Sequence, residues 1–134
     1  MRLLLDTHVM IWTLFDLPYL SEKAERMIEN PENQVFISLA SLWEIAIKFK
    51  KNPDKMPFSE DLIDDLCDDA GFGRFNIRTP HILALHDLTR DENTPVHKDP
   101  FDRILLAQAK TENALLLTHD KRLAEYSEPC VILV

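Results

Sequence analysis

The sequence predicts an α/β fold in which a central, mostly parallel sheet is flanked by helices on both faces, as a three-layer sandwich. Two observations predict it. Segments of β-forming residues alternate with helical segments along the whole chain, as expected for a sheet covered by helices. The strand segments, such as RLLL at 2–5 and ALLLT at 114–118, are also too apolar to have one face in water. Such strands are typical of parallel sheets that are buried on both sides.

The first half of the chain is divided by its helix caps. Strands are predicted over 2–5 and 34–37, where apolar and β-branched residues cluster. Three of the four helices in this half begin behind a serine, which is a favourable N-cap because its hydroxyl accepts from an unpaired backbone N–H. The helices are predicted over 7–15, from Ser21 to Asn30, over 39–51 behind Ser38, and from Ser59 to Cys67.

The second half contains two start signals of another kind. Thr79 and Asp99 each stand before a proline, which is tolerated in the first turn of a helix because its missing N–H would have no partner there. The second of these helices has the sequence FDRILLAQAKTEN. A short helix is predicted over 120–126, and strands are predicted over 74–77, 114–118 and 131–134.

Composition limits the class of protein. A chain of 134 residues that is 46% hydrophobic is large enough for one buried core, so we expect a single domain over 1–134. Only two glycines are present, which excludes a glycine-rich phosphate loop and, with it, a nucleotide cofactor. No apolar run is long enough for a membrane span or a signal peptide. Cys67 and Cys130 form no Cys-x-x-Cys pair, so we expect reduced thiols and a cytoplasmic location.

The formal charge of −8 argues against a protein that binds nucleic acid through a basic surface alone. Two interpretations are compatible with it. Either nucleic acid is not the partner, or divalent cations and a local basic patch offset the acidic charge where the substrate binds. The plausible phosphate contacts are Lys48, Lys50, Lys51, Arg103, Lys121 and Arg122.

Three acids stand at element boundaries. Asp6 follows the first predicted strand, Asp120 follows the fourth, and Asp102 lies in the first turn of a helix. The crevice outside the carboxyl ends of parallel strands is where α/β proteins bind ligands. Each acid also has a structural explanation as a helix cap, with Asp99 as the cap residue before Asp102.

Glu44 is the fourth acid, and it lies in a helix with apolar residues on nearly every face. Such a helix is expected to be buried. A buried carboxylate must be paired, protonated or bound to a metal, because an isolated buried charge is very costly. The structural alternative is an ion pair with Lys48, four residues later on the same helix.

Together these residues resemble a known family. The segments LLLDTHVMIW, SLASLWEIAIK, HKDPFDRILLAQA and LLLTHDKRL are similar, in order and over nearly the whole chain, to the motifs of the PIN domain, in particular the VapC-type toxins of toxin–antitoxin pairs. The resemblance implies a PIN-like sandwich, an RNA substrate, a cognate antitoxin that covers the acidic site, and a homodimer. It matches Asp6, Glu44, Asp102 and Asp120 to the family's metal-site acids. It matches Thr7, Ser38 and Thr118 to the adjacent hydroxyl positions, leaves Asp99 as the cap, and gives no firm role to His97, Lys98 and Arg103.

The chemistry of the four acids agrees with this interpretation. Hard oxygen ligands suit Mg²⁺ or Mn²⁺. One or two such ions would make a bound water acidic enough to attack phosphorus and would stabilise the leaving 3′-oxygen. We therefore expect Asp6, Asp102 and Asp120 to hold metal, with Glu44 completing the site or orienting the water. The resemblance implies a 5′-phosphate product.

Other functions have less support in the sequence. The five histidines show no His-Glu-x-x-His pattern, and we expect His8, His81 and His119 to be surface or cap residues. His86 and Asp87 are weak support for an HD phosphohydrolase, and one acid after the first strand is weak support for a receiver domain. The principal rival is a PIN-like binding module without catalysis. The aromatic side chains are expected to be core rather than base-stacking platforms; these are Trp12, Trp43, Phe36 and Phe49.

Overall fold

The computed structural model describes residues 1–89 and 99–134. It contains a five-stranded sheet in which every pairing is parallel. The strands are β1 (Arg2–Leu5), β2 (Gln34–Ser38), β3 (Gly73–Phe75), β4 (Leu115–Thr118) and β5 (Val131–Leu133), in the spatial order β3-β2-β1-β4-β5. The predicted α/β class is therefore confirmed, and the sheet is wholly parallel within the part of the chain described.

Seven α-helices occur within the described ranges. They are α1 (Thr7–Leu14), α2 (Glu22–Glu29), α3 (Leu39–Lys51), α4 (Glu60–Ala70), α5 (Thr79–Ala84), α6 (Pro100–Thr111) and α7 (Lys121–Ala124). A single 3₁₀ turn over Leu85–Asp87 follows α5. None of these helices is long and apolar enough to cross a membrane.

The core lies in two layers, one on each face of the sheet. Leu3 and Leu5 of β1 pack into one buried cluster with Ile45 of α3 and Ile63 of α4. Leu4 points to the other face, into a second cluster with apolar residues of α6. This alternation along one strand is the expected result of the two-residue period of side chains in a strand. Both faces are covered, which confirms the three-layer arrangement.

Several boundaries differ from those predicted. Helix α4 continues past Cys67 to Ala70, where Gly71 adopts a left-handed conformation with φ 77° and ends the helix. Glycine takes this conformation without the steric cost that a Cβ imposes. Strand β3 begins at Gly73 and ends at Phe75, because only Gly73–Phe75 pairs with β2. Helix α7 is shorter than the predicted 120–126: it begins at Lys121 because Asp120 is its cap, and it ends at Ala124.

Two further expectations, the N-cap of α5 and the burial of Trp43 on α3, differ from what the structure shows. Arg78, not Thr79, occupies the N-cap of α5, and the buried His81 closes that cap by accepting from the Arg78 backbone N–H at 2.9 Å. Of the two alternatives expected for His81, a surface residue or a cap residue, the structure shows the cap residue, and it is buried. Trp43 on α3 is 60% exposed, so it is not a core residue. One side of α3 faces outward despite its apolar composition. The two cysteines are free, with Cys67 buried.

Candidate carboxylate site

The sheet brings two of the predicted acids to the same edge. Asp6 directly follows β1, and Asp120 lies two residues after the end of β4. These strands are adjacent and parallel, with Leu5 opposite Leu117, so their carboxyl ends meet. The strand order also reverses between β1 and β4, which is where ligand crevices form in open parallel sheets.

Asp6 is held by both neighbouring elements. Its side chain is the N-cap of α1 and accepts from the Val9 backbone N–H at 2.8 Å. Its other oxygen accepts a hydrogen bond from the Thr118 hydroxyl at the end of β4. Asp6 is only 4% exposed. Burial raises its pKa above the usual value, although the hydrogen bonds from Thr118 and Val9 oppose that rise.

Thr118 connects Asp6 to Asp120. Its buried hydroxyl donates to Asp6 and accepts from the Asp120 backbone N–H at 3.0 Å. Asp120 in turn caps α7 by accepting from the Arg122 backbone N–H at 2.9 Å, and it forms an ion pair with the Arg122 guanidinium, also at 2.9 Å. The capping role considered for Asp120 is therefore present, and Asp120 lines the same pocket as Asp6.

Glu44 is buried, with 6% exposure, and both of its oxygens have donors. The Thr7 hydroxyl donates to Oε1 at 2.6 Å, and the Lys48 ammonium lies 2.6 Å from Oε2. The Glu44–Lys48 pair considered from sequence is therefore present, and Glu44 is also buried. Ser41 lies one turn earlier on α3, and its hydroxyl is 3.1 Å from that of Thr7. Sequence reasoning missed Ser41, although it lies three residues before Glu44 on the same helix.

Asp102 interacts electrostatically with the other predicted acids. Its pKa is raised from 3.8 to about 7, first by burial and then by the charges of four further carboxylates. In decreasing order of effect these are Asp99, Asp120, Asp6 and Glu44. A carboxylate that feels four others repels them at neutral pH, because like charges at short range disfavour ionisation. The chain therefore concentrates negative charge at this edge of the sheet.

The remaining predicted residues have structural roles. Asp99 is the N-cap of α6 and accepts from the backbone N–H groups of Phe101 and Asp102. Ser38 caps α3 by accepting from the Ala40 N–H at 3.0 Å. Arg103 donates to the Leu85 carbonyl at 3.2 Å and ties α6 to the segment after α5. His97 and Lys98 lie outside the described residues.

The donor set fits a hard divalent cation by its chemistry. All four acids supply oxygen, the ligand that Mg²⁺ and Mn²⁺ prefer. Burial and the neighbouring carboxylates both raise the pKa of Asp102, and a cation would offset the part of the rise that comes from their charges. Within residues 1–89 and 99–134, no three acidic, histidine or cysteine side chains already lie together as a metal cluster. Glu44 contacts Lys48 and Asp120 contacts Arg122.

A pocket of about 330 Å³ opens beside Asp6 and Asp120. It is also lined by His8, Trp12, His119 and Arg122. Trp12 was expected to be a core residue, and it does pack against the core cluster on that face of the sheet. Its ring also contributes to the wall of this pocket, which could not be inferred from its helical spacing.

Comparison with known proteins agrees with this architecture. The model of the PIN domain matches residues 3–129. No curated protein sequence matches the chain. A chain in the structure of VapBC2 from Rickettsia felis, bound to a DNA fragment from its promoter, aligns with a TM-score of 0.69 and 19% identity over 100% of this chain and 98% of that chain.

Two other solved structures share the fold. A chain of DNA-bound VapBC from Salmonella typhimurium aligns with a TM-score of 0.65 and 17% identity, covering 100% of this chain and 97% of its own length. A chain of a toxin–antitoxin complex from Klebsiella pneumoniae aligns with a TM-score of 0.60 and 21% identity, covering 96% and 94% respectively. At these identities, the similarity establishes the fold.

Proposed function

Because the chain belongs to the PIN domain family, we propose that it is a metal-dependent endoribonuclease that acts as the toxin of a toxin–antitoxin pair. The observation that carries the proposal is that Asp102 is partly buried within electrostatic reach of the other acids. Burial first, and then the charges of Asp99, Asp120, Asp6 and Glu44, raise its pKa to about 7. Such a concentration of carboxylates is unfavourable for stability alone. It is useful where cations and phosphate oxygens must be bound together.

In this proposal Asp6, Asp102 and Asp120 hold Mg²⁺ or Mn²⁺. When bound, the metal supplies charge neutralisation for the phosphate and lowers the pKa of a water molecule. The chain's own residues arrange the oxygens. Thr118 fixes the Asp6 carboxylate and the backbone of Asp120 with a single hydroxyl.

Glu44 is proposed to complete the site or to orient the attacking water. Thr7 holds one of its oxygens and Lys48 holds the other, which restricts rotation of the carboxylate. A fixed carboxylate that accepts a hydrogen bond from water can direct the water's lone pair toward phosphorus, and such positioning is a large part of catalysis. The proposed products of RNA cleavage carry a 5′-phosphate.

The test is an RNA-cleavage assay with structured and unstructured RNAs in Mg²⁺, Mn²⁺ and EDTA. Asp6→Asn and Asp102→Asn are compared with the parent, and Asp54→Asn, an exposed acid in the turn after α3, is the matched control. We expect metal-dependent cleavage by the parent and the control, with a loss of at least about 100-fold in the two site variants. Because all four proteins are purified identically, a contaminating nuclease would cut equally in all of them.

Equal cleavage in parent and site variants, or none in the parent, would favour the rival function of a PIN-like binding module without catalysis. An antitoxin that covers the acidic site and a homodimer are further parts of the proposal. The net charge of −8 favours a partner segment with basic side chains. Expression of the parent and of Asp102→Asn in cells tests the toxin role, since only the parent is expected to arrest growth. Sedimentation of the purified chain tests the dimer.

A further inference from the structure

Four aromatic rings lie together beside the carboxylates, and we refer to them as the aromatic cluster: His8, Trp12, Tyr19 and His119. Trp12 is its centre. The Trp12 ring is 5.2 Å from His119 with an interplanar angle of 71°, 5.7 Å from Tyr19 and 6.0 Å from His8, measured between ring centroids. These distances are within the range of favourable aromatic contact.

The cluster is built from the same elements as the carboxylate site. Asp6 caps α1, and His8 and Trp12 lie on α1 four residues apart, so they share one side of the helix. His119 stands between Thr118, the hydroxyl partner of Asp6, and Asp120. A ligand that contacts Asp6 or Asp120 in their shared pocket is therefore adjacent to the rings of His8, Trp12 and His119.

Core packing accounts for only part of the cluster. Trp12 is partly buried and packs against the core cluster. Tyr19 is 65% exposed, and His8 and His119 are also exposed. An aromatic side chain gains most by burial, so exposed rings around a half-buried indole leave apolar π surface accessible. Two of these rings and Trp12 line the pocket that also contains Asp6 and Asp120.

We propose that the aromatic cluster binds an unpaired nucleobase of the RNA substrate, next to the phosphate at the carboxylate site. This inference rests on the proposed nuclease function and assigns to these rings the part of that site that holds a base. Bases in a duplex are stacked on each other, whereas proteins stack aromatic side chains on bases that are splayed out. Every base has a π face, so such a site binds many sequences.

A cation is available for the neighbouring phosphate. Arg122 lines the same pocket, and its side chain is 65% exposed although it pairs with Asp120. A guanidinium can bind a carboxylate and a phosphate oxygen at the same time because it has five donors. Rings for a base, a cation for a phosphate and carboxylates for metal ions thus occur along one wall.

The test measures binding of a short, fluorescently labelled single-stranded RNA by anisotropy, in Ca²⁺ instead of Mg²⁺, with strand integrity checked on a gel. A strand of the same length with abasic nucleotides keeps the phosphates but removes the bases. Tyr19→Ala and Trp12→Leu are the test variants, and Trp12→Phe is the conservative variant. Trp43→Leu is the matched control because it also removes a surface indole.

We expect Tyr19→Ala and Trp12→Leu each to weaken binding of the normal strand by about tenfold, the size of one lost base–aromatic stack, and to leave binding of the abasic strand unchanged. Trp12→Phe and Trp43→Leu are expected to bind like the parent. The chain has two tryptophans, so the indole fluorescence of the Trp43→Leu variant comes from Trp12 alone. RNA binding should quench that fluorescence. Tyr19→Ala keeps the test valid if Trp12→Leu fails to fold.

Unchanged RNA affinity in Tyr19→Ala and in folded Trp12→Leu would overturn the inference, as would an equal loss on the abasic strand or in Trp43→Leu. Loss of binding to an arginine-rich peptide with unchanged RNA affinity would assign the cluster to a protein partner and would also overturn it. Failure of the proposed nuclease function can be distinguished from failure of this inference. It appears as absence of metal-dependent cleavage by the parent, whatever the cluster variants bind.

Discussion

Neutralising Asp102 is expected to make the metal-free protein more stable and the metal-bound protein less stable. Burial first, and then the charges of Asp99, Asp120, Asp6 and Glu44, raise the pKa of Asp102 from 3.8 to about 7. A carboxylate with a raised pKa costs stability when it is ionised. Asp102→Asn removes that charge while keeping nearly the same shape.

The magnitude follows from the pKa shift. A rise from 3.8 to about 7 corresponds to about 4 kcal/mol at about 1.4 kcal/mol for each pKa unit, as an upper limit at pH 8. Solvent screening of this partly exposed group reduces the measurable effect. We expect the free energy of unfolding to increase by about 1–2 kcal/mol, or Tm by roughly 3–6 °C for a chain of this size.

The sign of the effect of Asp102 on stability can be tested by its pH dependence. The folded-state pKa of Asp102 is higher than the unfolded-state value, so the cost of its charge is fully present above about pH 7 and disappears as the pH falls through the folded pKa toward 3.8. In EDTA, the parent is therefore expected to gain stability between pH 8 and pH 5.5, and the difference between parent and Asp102→Asn is expected to shrink.

The assay is thermal denaturation followed by circular dichroism, in EDTA and in millimolar Mg²⁺. Metal binding to the folded state raises Tm by mass action, and the parent should gain more than Asp102→Asn, which lacks one proposed ligand. Asp54→Asn is the control, and a surface change of this kind alters stability by less than about 0.5 kcal/mol. If Asp102→Asn is no more stable than the parent in EDTA at pH 8, the electrostatic reasoning about this site is wrong.

Three other predictions concern single contacts. Thr118→Val removes the hydroxyl that donates to buried Asp6, and we expect a loss of about 1.5–3 kcal/mol in urea denaturation, with Thr118→Ser close to the parent. In Gly73→Ala the new Cβ would lie 2.6 Å from two Phe36 ring carbons. We expect a loss of about 1–3 kcal/mol in the same assay, and an unchanged free energy would contradict this packing. The hydrogen bond from His81 lowers the pKa of Glu112 below 4.5, so this contact stabilises the fold above that pH and the stabilisation is lost as the pH falls through the folded pKa. Glu112→Gln should therefore be less stable than the parent at pH 7, with a smaller difference below about pH 4; a difference that does not vary with pH would refute the assignment.

Local sequence patterns predicted much of the fold. Caps at Ser21, Ser38, Ser59 and Asp99 all lie where the helices begin, because an N-cap depends on a hydrogen bond within three residues of itself. The apolar strands correctly indicated a parallel sheet covered on both faces. Errors arose where the local signal was weak, as at the end of α4, where Gly71 and not Cys67 decides the boundary.

The order of the acids along the chain was readable, and so was their chemistry as oxygen ligands. Their grouping depends on strand pairing between residues more than one hundred positions apart, which joins Asp6 to Thr118. No local pattern determines such a contact.

Which side chains are exposed is likewise decided by the tertiary structure. The apolar composition of α3 indicated a helix buried all round, yet Trp43 is exposed and Glu44, its neighbour in sequence, is buried. The sequence alone determined the type and order of most helices and strands, because those choices depend mainly on contacts within a few residues. Only the packing of distant elements decided which side chains face one another, and therefore where charge and aromatic surface are concentrated.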